Sequence, residues 1–181
     1  MSTRGEIEQK VAELLSKHRV DRPPVSIRDI AALEGLHVVE SASQGDVSGA
    51  LIRTNGVSVI AVNANHHINR QRFTIAHEMA HHFLRHKGEQ DHLDWNFSVM
   101  RRDSRSSEAT DTHEIEANYF AANLLMPKDF VRRDVAQLAG FNGEADLDQN
   151  TIRALAKKYL VSEAAMNFRL VSLGLIDPAG A

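Results

Sequence analysis

The sequence predicts an α+β domain: a small twisted antiparallel β-sheet or hairpin packed on a mainly helical core, closed by a C-terminal helical unit. Two observations set this expectation. Three β-rich runs, LHVVE, SGALIRT and VSVIAVN, lie together between segments whose apolar residues recur at helical spacing. The last two runs are joined by Asn55 and Gly56, the strongest short-range signal of a β-hairpin. At 181 residues the chain fits one globular domain, or one domain with a small appendage, and it is long enough to bury a core.

Each element follows from local chemistry. Ile7, Val11, Leu14 and Leu15 predict an amphipathic helix over 5–18, with Pro23 and Pro24 beyond its end. A short helix over 26–34 comes next, with Ser26 as its N-cap and Gly35 as its stop. After the strands, RFTIAHEMAHHFLRH lies in a long helix over about 69–86. Residues 88–110 are polar and aperiodic, and a loop of that length in a compact domain is usually functional, which suggests a lid. Helices resume over 112–126, 128–139, 150–159 and 162–173, punctuated by Pro127, Gly140, Asn142, Gly143 and Gly174. The last two, joined by Leu160, Val161 and Ser162, resemble a helix-turn-helix.

Composition narrows the function classes. A formal net charge of −3 and a pI near 6.4 leave no global basic footprint of the kind that nucleic-acid binding requires. With no cysteine, thiolate metal sites and disulfides are excluded, so any metal must be held by histidine and carboxylate. The charged N-terminal stretch lacks a signal-peptide core, and no later run approaches a membrane span, so the expected location is the cytoplasm.

The histidine-rich helix carries the chemistry. Phe73, Ala76, His77, Ala80, His81 and Leu84 form one continuous helical face, which turns two imidazoles towards the interior. Burying two titratable rings is costly without a partner, and a metal supplies one. His77 and His81 are four residues apart and can reach one ion, while Glu78 is angled away from ligation but close enough to take a proton from water at the metal. This is HExxH, in which two histidines hold zinc and the glutamate is the general base of a metallopeptidase. His82 and His86 fall off that face and read as surface or supporting residues. Leu84 and Lys87 stand where the longer metzincin pattern needs glycine and histidine, which excludes that variant.

Catalytic zinc takes three protein ligands and keeps one position open. In THEIEANYFAANLLMP, Glu114, Ala117, Asn118, Ala121 and Leu125 form a face with a carboxylate among small residues, so Glu114 is the preferred third ligand. Asn118, one turn on, is placed to accept the free ring N–H of a ligating histidine. Competing readings are a capping box closed by Asp111 and Glu114, or a solvated helix start flanked by His113 and Glu116; Glu116, His92, Asp91 and Asp94 are alternative ligands. Tyr119, His113, His66 and His67 are all candidate donors to an oxyanion, and spacing does not choose among them.

Taken together, IAVN, RFTIAHEMAHHFLRH, EIEANYFAANLLMP and LAKKYLVSEAAMNFRLVSLGLI make the chain resemble the ImmA/IrrE zinc metallopeptidases. The resemblance implies a zincin-like metallopeptidase domain over 1–140 and a C-terminal helical subdomain over 141–181. It implies one zinc ion per chain on His77, His81 and Glu114, with Glu78 as catalytic base. It also implies the substrate: a separately encoded helix-turn-helix repressor, cut to release mobile-element or stress-response genes. The expected docking mode is an added β-strand on the edge of the 47–62 hairpin. In the C-terminal pair only Arg169 and Asn167 suit base edges, so direct DNA binding through 150–173 is the less favoured role. The rival reading is a non-catalytic metal-containing regulator that binds a repressor, toxin or DNA.

Overall fold

The computed structural model describes residues 2–42, 47–84, 91–94, 108–138 and 147–177, with backbone alone for 91–94 and 108–111. The element order is α1 (Arg4–Lys17), α2 (Ile27–Leu33), β1 (Leu36–Ser41), β2 (Gly49–Thr54), β3 (Val57–Asn63), α3 (Ile68–Phe83), β4 (Asp91–Asp94), α4 (Glu108–Leu125), α5 (Lys128–Leu138), α6 (Gln149–Tyr159) and α7 (Glu163–Ser172). This is the expected α+β class.

Helix α1 starts in a full capping box, Thr3 with Glu6, and buries Ile7, Val11 and Leu14 at helical spacing. Ser26 occupies the N-cap of α2 without a side-chain cap bond, and Gly35, at φ 78°, turns the chain into β1. Asn55 and Gly56 both adopt positive φ, 48° and 79°, as a two-residue type I′ hairpin turn demands, and Thr54 pairs with Val57 across it.

The sheet extends beyond the hairpin. Its order is β1-β3-β2-β4, with β1 parallel to β3 and the other pairs antiparallel. Residues 91–94, expected inside a long loop, form β4 and pair with β2 from Gly49↔Asp94 to Ile52↔Asp91. Four residues reading DHLD carry no strand periodicity of their own; the open edge of β2 imposes it. Both long sides of the hairpin are therefore occupied, β3 by β1 and β2 by β4, which removes the hairpin edge as a seat for an added strand. The remaining 88–110 residues expected in the lid lie outside the described residues, apart from 108–110, which open α4.

One face of the sheet, including Leu36, Leu51, Ile60 and Val62, is buried in a core shared with α3 and α4. At the α3/α4 interface Ala76, Ala80, Ala117 and Ala121 are wholly buried, and small side chains there let the two helix axes approach closely. Gly49 marks a second close approach. A Cβ at this position would lie 2.3 Å from Thr74 Cγ2 and 2.8 Å from the Ala61 carbonyl oxygen. Gly49→Ala is expected to destabilise the fold by about 1–3 kcal/mol, the usual cost of overpacking. Adding Thr74→Ser, which deletes the nearer atom, should recover part of the loss in a denaturant titration.

The pair α6 and α7 joins the same core through Ile152, Leu155, Ala156, Tyr159, Met166 and Leu170. Leu160, in the left-handed region at φ 53°, makes the turn between them. Buried guanidiniums fasten the pair. Arg72 of α3 donates to the Leu160 and Val25 carbonyls, and Arg169 of α7 donates to the Met126 carbonyl and to Asn123 Oδ1. Arg169, expected to suit a base edge, is only 3% exposed, and its donors are engaged against α4, so it is not available for DNA. A guanidinium reaching two acceptors inside the fold is worth more than one waiting for a base. No helix among the described residues is long and apolar enough to cross a membrane.

Candidate metal centre

Helix α3 is seated firmly at its N-terminal end. His67 Nδ1 accepts from the Asn69 N–H at its N-terminus, Gln71 Nε2 donates to the Ala64 and His66 carbonyls, and Arg70 reaches Ser48 Oγ just before β2. These contacts fix the rotation of a helix on which all residues from Thr74 to His81 are buried.

On that helix His77 and His81 are 0% and 1% exposed, and Glu78 beside them is 0% exposed. Their imidazoles meet with Nε2 atoms 2.9 Å apart. Glu114 comes from α4 to complete a triangle: Oε2 lies 3.1 Å from His77 Nε2, and Oε1 lies 3.4 Å from His81 Nε2. Among the described residues this is the one group of three or more such side chains close enough to hold a metal ion.

The donor set fits a metal. Around an ion with bonds of about 2.0–2.2 Å, two tetrahedral ligand atoms stand roughly 3.3–3.6 Å apart, within about half an ångström of the separations seen here. Ring protonation fits as well. His77 Nδ1 faces Asn118 Oδ1 at 3.1 Å. An amide oxygen only accepts, so Nδ1 carries the proton and Nε2 keeps the lone pair that a metal needs. Glu114, with 30% of its side chain exposed, and the exposed Asn118 leave the site open on the α4 side. Among the described residues, two buried nitrogen donors and one partly exposed carboxylate match the three protein ligands of a catalytic zinc site.

Glu114 lies well inside α4, which begins at Glu108, so the capping-box reading with Asp111 does not hold. The other sequence candidates are placed elsewhere. Glu116 is buried and accepts from the Ser2 N–H at 2.8 Å. Asp91, His92 and Asp94 fall on β4, with side chains outside the described residues. Tyr119 donates its hydroxyl to Glu8 of α1 at 2.6 Å, and burial together with that carboxylate raises its pKa, so its proton is committed away from the metal triangle. His67 is spent on the α3 cap, while His66 and His113 are partly exposed, the latter one residue before Glu114. His82 is half-buried off the metal face; burial, then the nearby Arg53 charge, lowers its pKa. His86 lies outside the described residues.

Sequence reasoning missed Arg53 of β2, which donates to the His81 main-chain oxygen at 2.9 Å. Nothing in a local pattern indicates which distant carbonyl an arginine will reach.

Comparison with known proteins places the chain in a family. A peptidase family model described as the IrrE N-terminal-like domain matches residues 32–171, which include both metal-bearing helices and the C-terminal pair. Among curated proteins, the chain is 20% identical over 157 residues to "Metallopeptidase ImmA" of Bacillus subtilis (strain 168), covering 87% of this chain and 85% of that protein. Among solved structures, a Mycobacterium tuberculosis transcriptional regulator superposes with a TM-score of 0.59 at 16% identity, over 92% of this chain. The chain spans 46% of that structure's length, and at such identity the likeness is one of fold alone.

Proposed function

Because the chain belongs to the IrrE N-terminal-like family of metallopeptidases, we propose that it is a zinc endopeptidase that cuts a separately encoded helix-turn-helix repressor in the cytoplasm. The cut would release mobile-element or stress-response genes. The observation that carries this reading is the triangle of His77, His81 and Glu114, with Glu78 buried next to the first ligand.

In this reading His77, His81 and Glu114 hold one zinc ion per chain, and Asn118 fixes the ring of His77. The chemistry zinc supplies at such a site is Lewis acidity, which makes water acidic near neutral pH and polarises a carbonyl. Glu78 takes the proton from the attacking water and returns it to the leaving amine nitrogen, so that one carboxylate serves both halves of the hydrolysis. Its complete burial keeps it from being solvated away from that proton.

We assign catalysis to residues 1–140 and recognition of the protein substrate to residues 141–181. Support for recognition comes from α7, where Phe168 is 67% exposed, while the charged side chain that would suit DNA, Arg169, points into the core. An exposed aromatic ring suits a protein surface better than a phosphate backbone.

The test is incubation of the zinc-loaded chain with the helix-turn-helix repressor encoded nearest to its gene. A single discrete cut, abolished by a chelator and restored by zinc, is expected. A repressor that binds but stays intact would favour a regulator over an enzyme.

A further inference from the structure

The proposed centre gives roles to His77, His81, Glu114, Glu78 and Asn118, and leaves one cation at its edge. Arg53 lies on β2 opposite Ser58 of β3, one residue past the stretch that pairs with β4. Its Nη2 donates to the His81 carbonyl oxygen at 2.9 Å. His81 is in the last turn of α3, which ends at Phe83. Carbonyls of a final turn have no partner within the helix, and such turns fray unless something else holds them. Here the Leu84 N–H takes the Ala80 carbonyl, and Arg53 takes the next one.

We propose that Arg53 is a positioning residue for the metal: by fixing the main chain of His81 to the sheet, it sets the spacing between the two imidazole ligands. The inference rests on the metal-centre reading above. His77 sits mid-helix and is restrained through its ring by Asn118, whereas His81 sits near the helix end, where the backbone needs an external anchor. Pairing with β3 on either side of the tight Asn55-Gly56 turn holds β2 at this position, and the guanidinium sits favourably at the negative end of the helix dipole.

A second effect opposes the first. A positive charge near the site repels a metal cation, so removing Arg53 would tighten binding if charge dominated. Fixing geometry wins in this proposal because the guanidinium is engaged by the helix end and faces partial solvent, which screens its charge. Variants separate the two effects. Arg53→Met removes donor and charge, Arg53→Lys keeps both, and Arg133→Gln is a control that loses bonds to the Asp21 carbonyl, away from α3.

The measurement is zinc affinity of folded apoprotein by chelator competition, with Co²⁺ d–d absorption reporting ligand geometry and thermal melting of the apo form reporting fold. Arg53→Met should bind zinc about 10-fold or more weakly, within the 10–100-fold range typical of groups that orient ligands, and should change the cobalt spectrum. Arg53→Lys should recover most of the affinity, and Arg133→Gln should match wild type. If Arg53→Met does not fold, Arg53→Gln, too short to span to the carbonyl, carries the same expectation. A wild type that binds zinc beside an Arg53→Met variant binding as tightly or more tightly overturns this inference alone. A wild type that takes up no metal overturns the metal centre and the inference together.

Discussion

Glu78→Gln is expected to leave one zinc ion bound per chain while cutting the rate of repressor cleavage by about 10²–10⁴-fold, the usual contribution of a positioned general base. Gln matches Glu in shape, so the wholly buried space beside His77 stays filled and α3 keeps its seat. What is lost is basicity, because an amide cannot take the proton of the attacking water. Removing a negative charge near a cation also weakens zinc binding, but the three ligands remain, so loading at saturating zinc is preserved. Metal analysis of the variant alongside a cleavage time course reads both effects. Cleavage at the wild-type rate by fully loaded Glu78→Gln would leave Glu78 without its assigned role.

Glu114→Gln is expected to abolish both metal binding and activity. Glu114 is the charged member of the triangle, facing His77 Nε2 at 3.1 Å and His81 Nε2 at 3.4 Å. Losing a direct ligand should exceed the roughly 10–100-fold cost of losing a group that only orients one, so zinc affinity should fall by more than about 100-fold. The loss has a second signature in stability. A ligand that binds only the folded state stabilises it by about 2.7 kcal/mol at 100 times its dissociation constant. Zinc should therefore raise the melting temperature of the wild type and leave that of Glu114→Gln unmoved. If the trio were only an ion-pair network, zinc would shift neither protein.

How much of this was legible in the sequence depended on the range of the interaction. The helices announce themselves through apolar spacing such as Ile7, Val11 and Leu14, and the hairpin through Asn55-Gly56, because both signals are local. His77 and His81 face each other because four residues make one helical turn, which is also a local fact. The approach of Glu114 was reachable only by asking what two buried histidines require and which later helix offers a carboxylate among alanines. Strand β4 and the parallel pairing of β1 with β3 were not legible, since each is dictated by an edge elsewhere in the chain. The same holds for Arg53 and Arg169. Their side chains end on main-chain oxygens at His81 and Met126, and a carbonyl carries no sequence signature.

These long-range contacts also change the reading of the C-terminal pair. On sequence alone Arg169 belonged to an exposed helix face, but in the fold it holds the end of α4, the helix that carries Glu114. The helix pair is thus part of the scaffold that carries Glu114, and its outward face exposes Phe168.

The most direct test of the central claim is the metal stoichiometry and ligand shell of the purified chain, read by X-ray absorption at the zinc edge. One ion per chain, bound by two imidazole nitrogens, a carboxylate oxygen and one non-protein oxygen, is the result expected. Four protein ligands, or no stoichiometric metal, would contradict it.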